Sequence, residues 1–167
     1  MKKAIVPLVT VTLLISACND QQKTIQSLQT QIDSLQRQIE TSYKPGFGEF
    51  MSSIQVHHEK LWFAGINQNW KLAGFEIGEI KESLDDIQTY CTDRPERKSI
   101  SIIDGPIDSI SKAIAQKDVA LFKNNFFTLT NSCNSCHRAT EHEFNVIKIP
   151  ATPPFSNQEF IPAAGNK

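Results

Sequence analysis

The sequence predicts an all-α protein. The expected architecture is an antiparallel up-down-up-down four-helix bundle, preceded by a helical stalk able to pair as a coiled coil and followed by an extended Pro-rich tail. Three observations predict it. Apolar residues recur at spacings of three and four from Ile25 to Leu129. Beyond Phe47 the periodic segments number four and are joined by short connectors, which favours antiparallel neighbours. Strand-like alternation is confined to "FNVIKI" near the C-terminus.

Residues 1–17 read as an export signal. Lys2 and Lys3 make a basic start, and Ala4 to Ile15 form an apolar run too short to span a bilayer comfortably. The segment ends "ISAC", Ile15 to Cys18, and polar sequence begins at Asn19. This resembles the lipobox of bacterial lipoproteins. The resemblance implies acylation of Cys18 and a chain tethered in the bacterial cell envelope, facing the periplasm or the cell exterior. An ordinary secretory signal with an incidental Cys18 is the alternative.

Residues 18–46 carry the anchor, stalk and linker. Ile25, Leu28, Ile32, Leu35 and Ile39 make an a/d stripe, while Gln and Ser fill the other faces. Ile at a with Leu at d favours a two-stranded parallel coil, hence a homodimer through the stalk. A single helical spacer is the alternative, because the stripe is short of three to four heptads. Either form lifts the next domain roughly 25–30 Å at 1.5 Å per residue. "YKPGFG" reads as a hinge.

Residues 47–142 form the expected bundle. Its first helix buries Phe47, Phe50, Met51, Ile54, Leu61 and Gly65, and Asn67 and Asn69 supply turn or cap groups. The second buries Ala73, Ile77, Ile80, Leu84 and Ile87. "CTDRPERK" is a polar connector. The third helix carries Ile103, Ile107, Ile110 and Ile114, with Gly105-Pro106 kinking it or delaying its start. Asp118 N-caps the fourth, whose stripe is Phe122, Phe126 and Leu129. Residues 143–167 are the tail.

Continuing that last stripe by four and three reaches Cys133 and Cys136 in "CNSCH". The two thiols therefore face inward, about one turn apart, with His137 directly after them. C-x-x-C-H is the c-type haem attachment pattern. Each thiol can bond one vinyl group of the same porphyrin, and the adjacent imidazole supplies an axial ligand to the iron. The expected cofactor is one covalent haem c. Structural zinc would need a second ligand pair, and His57-His58 lack the spacing. A thioredoxin-like dithiol would need a βαβ context, which is missing.

A four-helix bundle with C-x-x-C-H on its last helix resembles the cytochrome c prime and c-556 group, over about Gly48 to Thr140. The resemblance implies a haem protein held by Cys133, Cys136 and His137. Chains of that group end soon after the motif, whereas here "EHEFNVIKIPATPPFSNQEFIPAAGNK" follows. This tail is expected to cover a haem edge or the bundle surface.

On the distal side the candidates are His58, then His57 and Met51, because the early part of the first bundle helix lies beside the late part of the last. His58 falls nearer the centre of the apolar stripe than His57. A polar pair on the helix flank and a core methionine are the plainer alternatives. His142, five residues after His137, is expected on another helical face and exposed to solvent. Arg138 is read as a partner for a haem propionate or as a solvated surface group. Trp62 and Trp70 are expected to pack in the core, and Cys91 is left unpaired.

The leading expectation is a membrane-tethered monohaem cytochrome passing electrons to a redox partner protein. A gas-binding haem protein is the second, and a non-haem structural lipoprotein the third. No acid–base pair, nucleophile triad or phosphate loop points to an enzyme. The content is 40% hydrophobic and the net charge -1, so no basic excess suggests nucleic acid.

Overall fold

The computed structural model describes residues 5–43 and 45–163, with side chains from residue 21 onward, that of residue 41 excepted. The export-signal reading and the Cys18 side chain lie outside the described side chains. Among the described residues the protein is all-α, with five α-helices, one 3-10 helix and no strand. None of these helices is long and apolar enough to cross a membrane.

The chain divides into two compact units, Met1–Lys44 and Pro45–Lys167. The first contains α1 (Ile5–Thr41). Its stripe residues Ile25, Leu28, Ile32, Leu35 and Ile39 are 52–65% exposed. The helix is supported locally by Gln29 donating to the Asp33 carboxylate four residues on, at 2.9 Å.

The second unit contains α2 (Phe47–Ile66), α3 (Trp70–Tyr90), a 3-10 helix (Pro95–Ile103), α4 (Asp104–Gln116) and α5 (Val119–Ala139). Local chemistry sets the boundaries. The Gly46 N–H, orphaned at the start of α2, donates to the Glu49 carboxylate. Asn67 closes α2 by donating to the Phe63 carbonyl, and Asn69 opens α3 by accepting from the Leu72 N–H. Asp118 accepts from Ala120 and Leu121 at the start of α5.

The expected polar connector, residues 91–98, is instead partly helical. Pro95–Ile103 winds as a 3-10 helix that covers the end of that connector and the start of the expected third helix, and Ile100 and Ile103 are buried. Their spacing of three places both on one face of a three-residue turn. Pro106 falls in the first turn of α4, where its missing N–H has no intrahelical partner to lose, so the proline delays the helix rather than kinking it.

Within this unit α2 packs on α3, α3 on α4, α4 on α5, and α5 back on α2. The shared core includes Leu61, Ile77, Ile80, Ile87, Ile110, Phe122, Phe126 and Leu129. Trp62 and Trp70 are half-buried against it, Trp62 at 4.9 Å from the Phe126 ring and Trp70 edge-on to Phe122 at 6.1 Å. Gly65 is a point of close approach between α2 and α5, its open side filled by the Phe122 ring. Cys91 caps α3 as a buried free thiol.

"FNVIKI" forms no strand. Its middle pairs with one side chain instead of a neighbouring strand: the Asn134 amide bonds both the N–H and the carbonyl of Ile147, each at 2.8 Å. Farther on, Phe155 lies under the Lys60 ammonium, and Phe160, only 4% exposed, packs on Phe63. The chain after α5 thus follows α2 toward its C-terminal end.

Candidate functional site

The last two turns of α5, the first half of α2, the 3-10 helix and the returning chain enclose a cavity of about 250 Å³. Phe47, Met51, Ile54, Leu84, Ile103 and Ile147 make its apolar walls. Cys133, Cys136 and His137 line it together, as does His58 from α2. Helical spacing carries both cysteines along the Phe122–Phe126–Leu129 stripe into this space.

Cys133 is half-buried and Cys136 buried. Burial pushes the Cys133 thiol up to about 12, with the nearby Cys136 adding to the rise. Burial also pushes Cys136 up. Both are therefore protonated at neutral pH, the opposite of the lowered pKa that makes a dithiol reactive. The Cys136 thiol points at the Ser99 carbonyl, 3.6 Å away.

His137 is oriented from outside the helix. Its Nδ1 lies 2.6 Å from the Asn145 carbonyl oxygen. A carbonyl only accepts, so Nδ1 carries the proton and Nε2 keeps a bare lone pair. That is the tautomer a metal-ligating imidazole needs.

His58 is 3% exposed, and its ring lies 4.4 Å from that of Phe126. Its Nε2 is 2.9 Å from the Thr130 hydroxyl, which donates its own proton to the Phe126 carbonyl. The hydroxyl must then accept from His58, so Nε2 carries the proton and only Nδ1 keeps a lone pair. Burial lowers the pKa of His58 to about 4, so the ring is neutral.

The other candidates divide. Met51 lines the cavity; His57 does not. His57 points to α3, with Nδ1 2.6 Å from the Glu76 carboxylate and Nε2 3.9 Å from Glu79. Glu76 is itself 1% exposed, and its second oxygen is buried without a hydrogen-bond partner. His142, expected in solvent, is only partly exposed and lines the cavity. The helical projection fails because α5 ends at Ala139 and Glu141, at φ 61°, turns the chain back. Arg138 is exposed, bonds Ser135 and is not at the cavity. The arginine at the rim is Arg94, paired with Glu96 at 2.8 Å and lying over the Phe47 ring. Arg94, Glu96, Thr130 and Asn145 carried no sequence pattern that marked them: Arg94 and Thr130 join through contacts distant in sequence, with Phe47 and His58, Glu96 through Arg94, and Asn145 through the turn after α5.

Among the described residues, no group of three or more His, Cys, Asp or Glu side chains is arranged to hold a metal ion by itself. Compared with family models, curated proteins and solved structures, the chain matches none of them.

Proposed function

We propose that this chain is a membrane-tethered monohaem c-type cytochrome that transfers electrons. The observation that carries the reading is the His137 imidazole: it shares one largely apolar cavity with both cysteines of C-x-x-C-H, and the Asn145 carbonyl holds its Nδ1 proton so that Nε2 is free. These residues fit a haem. Cys133 and Cys136 would hold it through thioethers, and His137 Nε2 would ligate its iron. Bound there, the haem supplies a one-electron iron couple. The chain's own residues exclude water with Met51, Ile54, Leu84 and Ile103, orient the axial ring through Asn145, and offer Arg94 at the rim to a carboxylate.

The finer architecture belongs to the same proposal. The closed ring of contacts among α2, α3, α4 and α5, with the short α2–α3 and α4–α5 connections, supports an antiparallel up-down-up-down bundle like that of the cytochrome c prime and c-556 group. The part of α1 after Cys18 serves as the stalk, with Cys18 acylated, and the Pro-rich tail straps the bundle.

One observation favours the second reading, a haem protein that binds small gases. Thr130 holds His58 Nε2, and the remaining nitrogen, Nδ1, is the one nearer the α2 backbone. His58 must release Thr130 to offer its outer nitrogen to iron.

Expression with the haem-attachment machinery tests both readings. The expected product is a pigment that survives denaturation and acid-acetone extraction. A colourless chain, or freely extracted haem, overturns the proposal and leaves the structural lipoprotein. Ferric and ferrous spectra of wild type and His58→Ala then separate the two haem functions. A low-spin wild type that turns high-spin on substitution supports His58 ligation and electron transfer. A high-spin wild type unchanged by it supports gas binding.

A further inference from the structure

The helical turn between the two cysteines does more than space them. Asn134 lies one residue after Cys133 and three before His137, so Asn134 and His137 are neighbours on the surface of α5. The chain that returns past this surface first turns: the Asn145 N–H donates to the His142 carbonyl at 2.9 Å. Asn145 and Ile147, two residues apart beyond that bond, both bring backbone groups to side chains of α5. The Asn145 carbonyl accepts the His137 Nδ1 proton at 2.6 Å. The Ile147 N–H donates to Asn134 Oδ1, and the Ile147 carbonyl accepts from Asn134 Nδ2, each at 2.8 Å.

The chemistry of the asparagine suits this contact. A primary amide offers one acceptor and donors on the same short plane, matching the N–H and C=O pair of one residue. Together, the three bonds at residues 145 and 147 fix the register of the returning chain against α5. If Ile147 is released, Asn145 is held from one side only, by the bond of its N–H to the His142 carbonyl. The His137 ring is then free to turn or to move its proton to Nε2, the tautomer with no lone pair toward the cavity.

We propose that Asn134 is a positioning residue for the axial histidine: by clamping Ile147 it keeps the Asn145 carbonyl on His137 Nδ1 and so keeps Nε2 available to iron. This rests on the haem reading for its consequence, but not for its geometry. A hydrogen bond to the far nitrogen of a metal-ligating imidazole raises its basicity. A more basic axial ligand favours the ferric state, so the clamp lowers the reduction potential.

The test uses two variants that break the clamp from opposite sides. Asn134→Ala removes the amide, and Ile147→Pro removes the N–H it accepts. Ring ¹⁵N shifts of His137 are measured in the full chain made without haem attachment, and reduction potentials in the haem-loaded chain. The wild type is expected as the Nδ1–H tautomer alone, and both variants as a mixture with Nε2–H. Where haem is attached, both variants should have a more positive potential than wild type. Unchanged His137 shifts in both variants overturn the proposal, as does a mixed tautomer in the wild type. A potential unmoved in variants with altered shifts overturns the assigned consequence. If no form of the chain holds covalent haem, the haem reading fails while the ring shifts still decide on the clamp.

Discussion

His58 is buried as a neutral ring, and its charge balance makes stability depend on pH. Its pKa falls from 6.5 to about 4 on folding, because burial disfavours the charged form. A depressed folded pKa gives stability that is full above 6.5 and is lost as pH falls toward 4, since the unfolded chain binds a proton the folded chain refuses. Across that window the loss is about 3 kcal/mol for this group. Urea unfolding at pH 7 and pH 4.5 measures it. The wild type is expected to lose more stability on acidification than a His58→Phe variant. Equal pH dependence in both would show that His58 is not the source.

At the scale of elements, the α2–α5 contact depends on one missing methyl group. A Cβ at Gly65 would lie inside the van der Waals envelope of the Phe122 ring, and that ring is fully buried. Alanine favours a helix over glycine by about 1 kcal/mol, but overpacking a tight contact costs about 1–3 kcal/mol. Steric conflict is expected to win, so Gly65→Ala lowers the thermal midpoint. Phe122→Leu in the Gly65→Ala background should return part of the Gly65→Ala loss, which a double-mutant cycle reads directly.

α1 raises a different question at the same scale, because its apolar stripe faces solvent. With Ile25, Ile32 and Ile39 at a, and Leu28 and Leu35 at d, the e and g positions are Gln29, Gln31, Gln36 and Gln38. The charged groups Lys23, Asp33, Arg37 and Glu40 fall at b and f. Two identical parallel helices would therefore meet without like charges at their flanks. Sedimentation of the chain without its first 18 residues is expected to report a dimer. Leu28→Gln with Leu35→Gln should make it a monomer, and the two chains sedimenting alike would argue for a simple spacer.

For the whole molecule, the proposal joins a lipid anchor, a stalk and a haem-bearing bundle in one chain. Replacing Cys18 by Ser removes the acylation point that the lipobox resemblance implies. The expected result is an unprocessed precursor or release from the membrane fraction, with haem content per chain unchanged. Membrane fractionation and processing identical to wild type would count against the tether.

The sequence by itself determined the all-α class and most of the core. Helical periodicity is a local property, so Ile77, Ile80, Ile87, Ile110, Phe122 and Phe126 could be assigned to buried faces from spacing alone. The C-x-x-C-H motif was legible for the same reason: its members lie within five residues. Tertiary structure alone decided which neighbours complete the cavity. Helical projection put His142 in solvent, but the helix ends first and a left-handed residue turns His142 back. Arg94 rather than Arg138 reaches the rim, from the residue that precedes a 3-10 helix whose first residues looked like a polar connector. Thr130 claims His58 from a position 72 residues away. The Asn134 amide meets the returning chain through the backbone groups of Ile147, which every residue carries and no residue type announces. Contacts of this kind leave no periodic trace, because they depend on where the chain returns and not on what repeats along it.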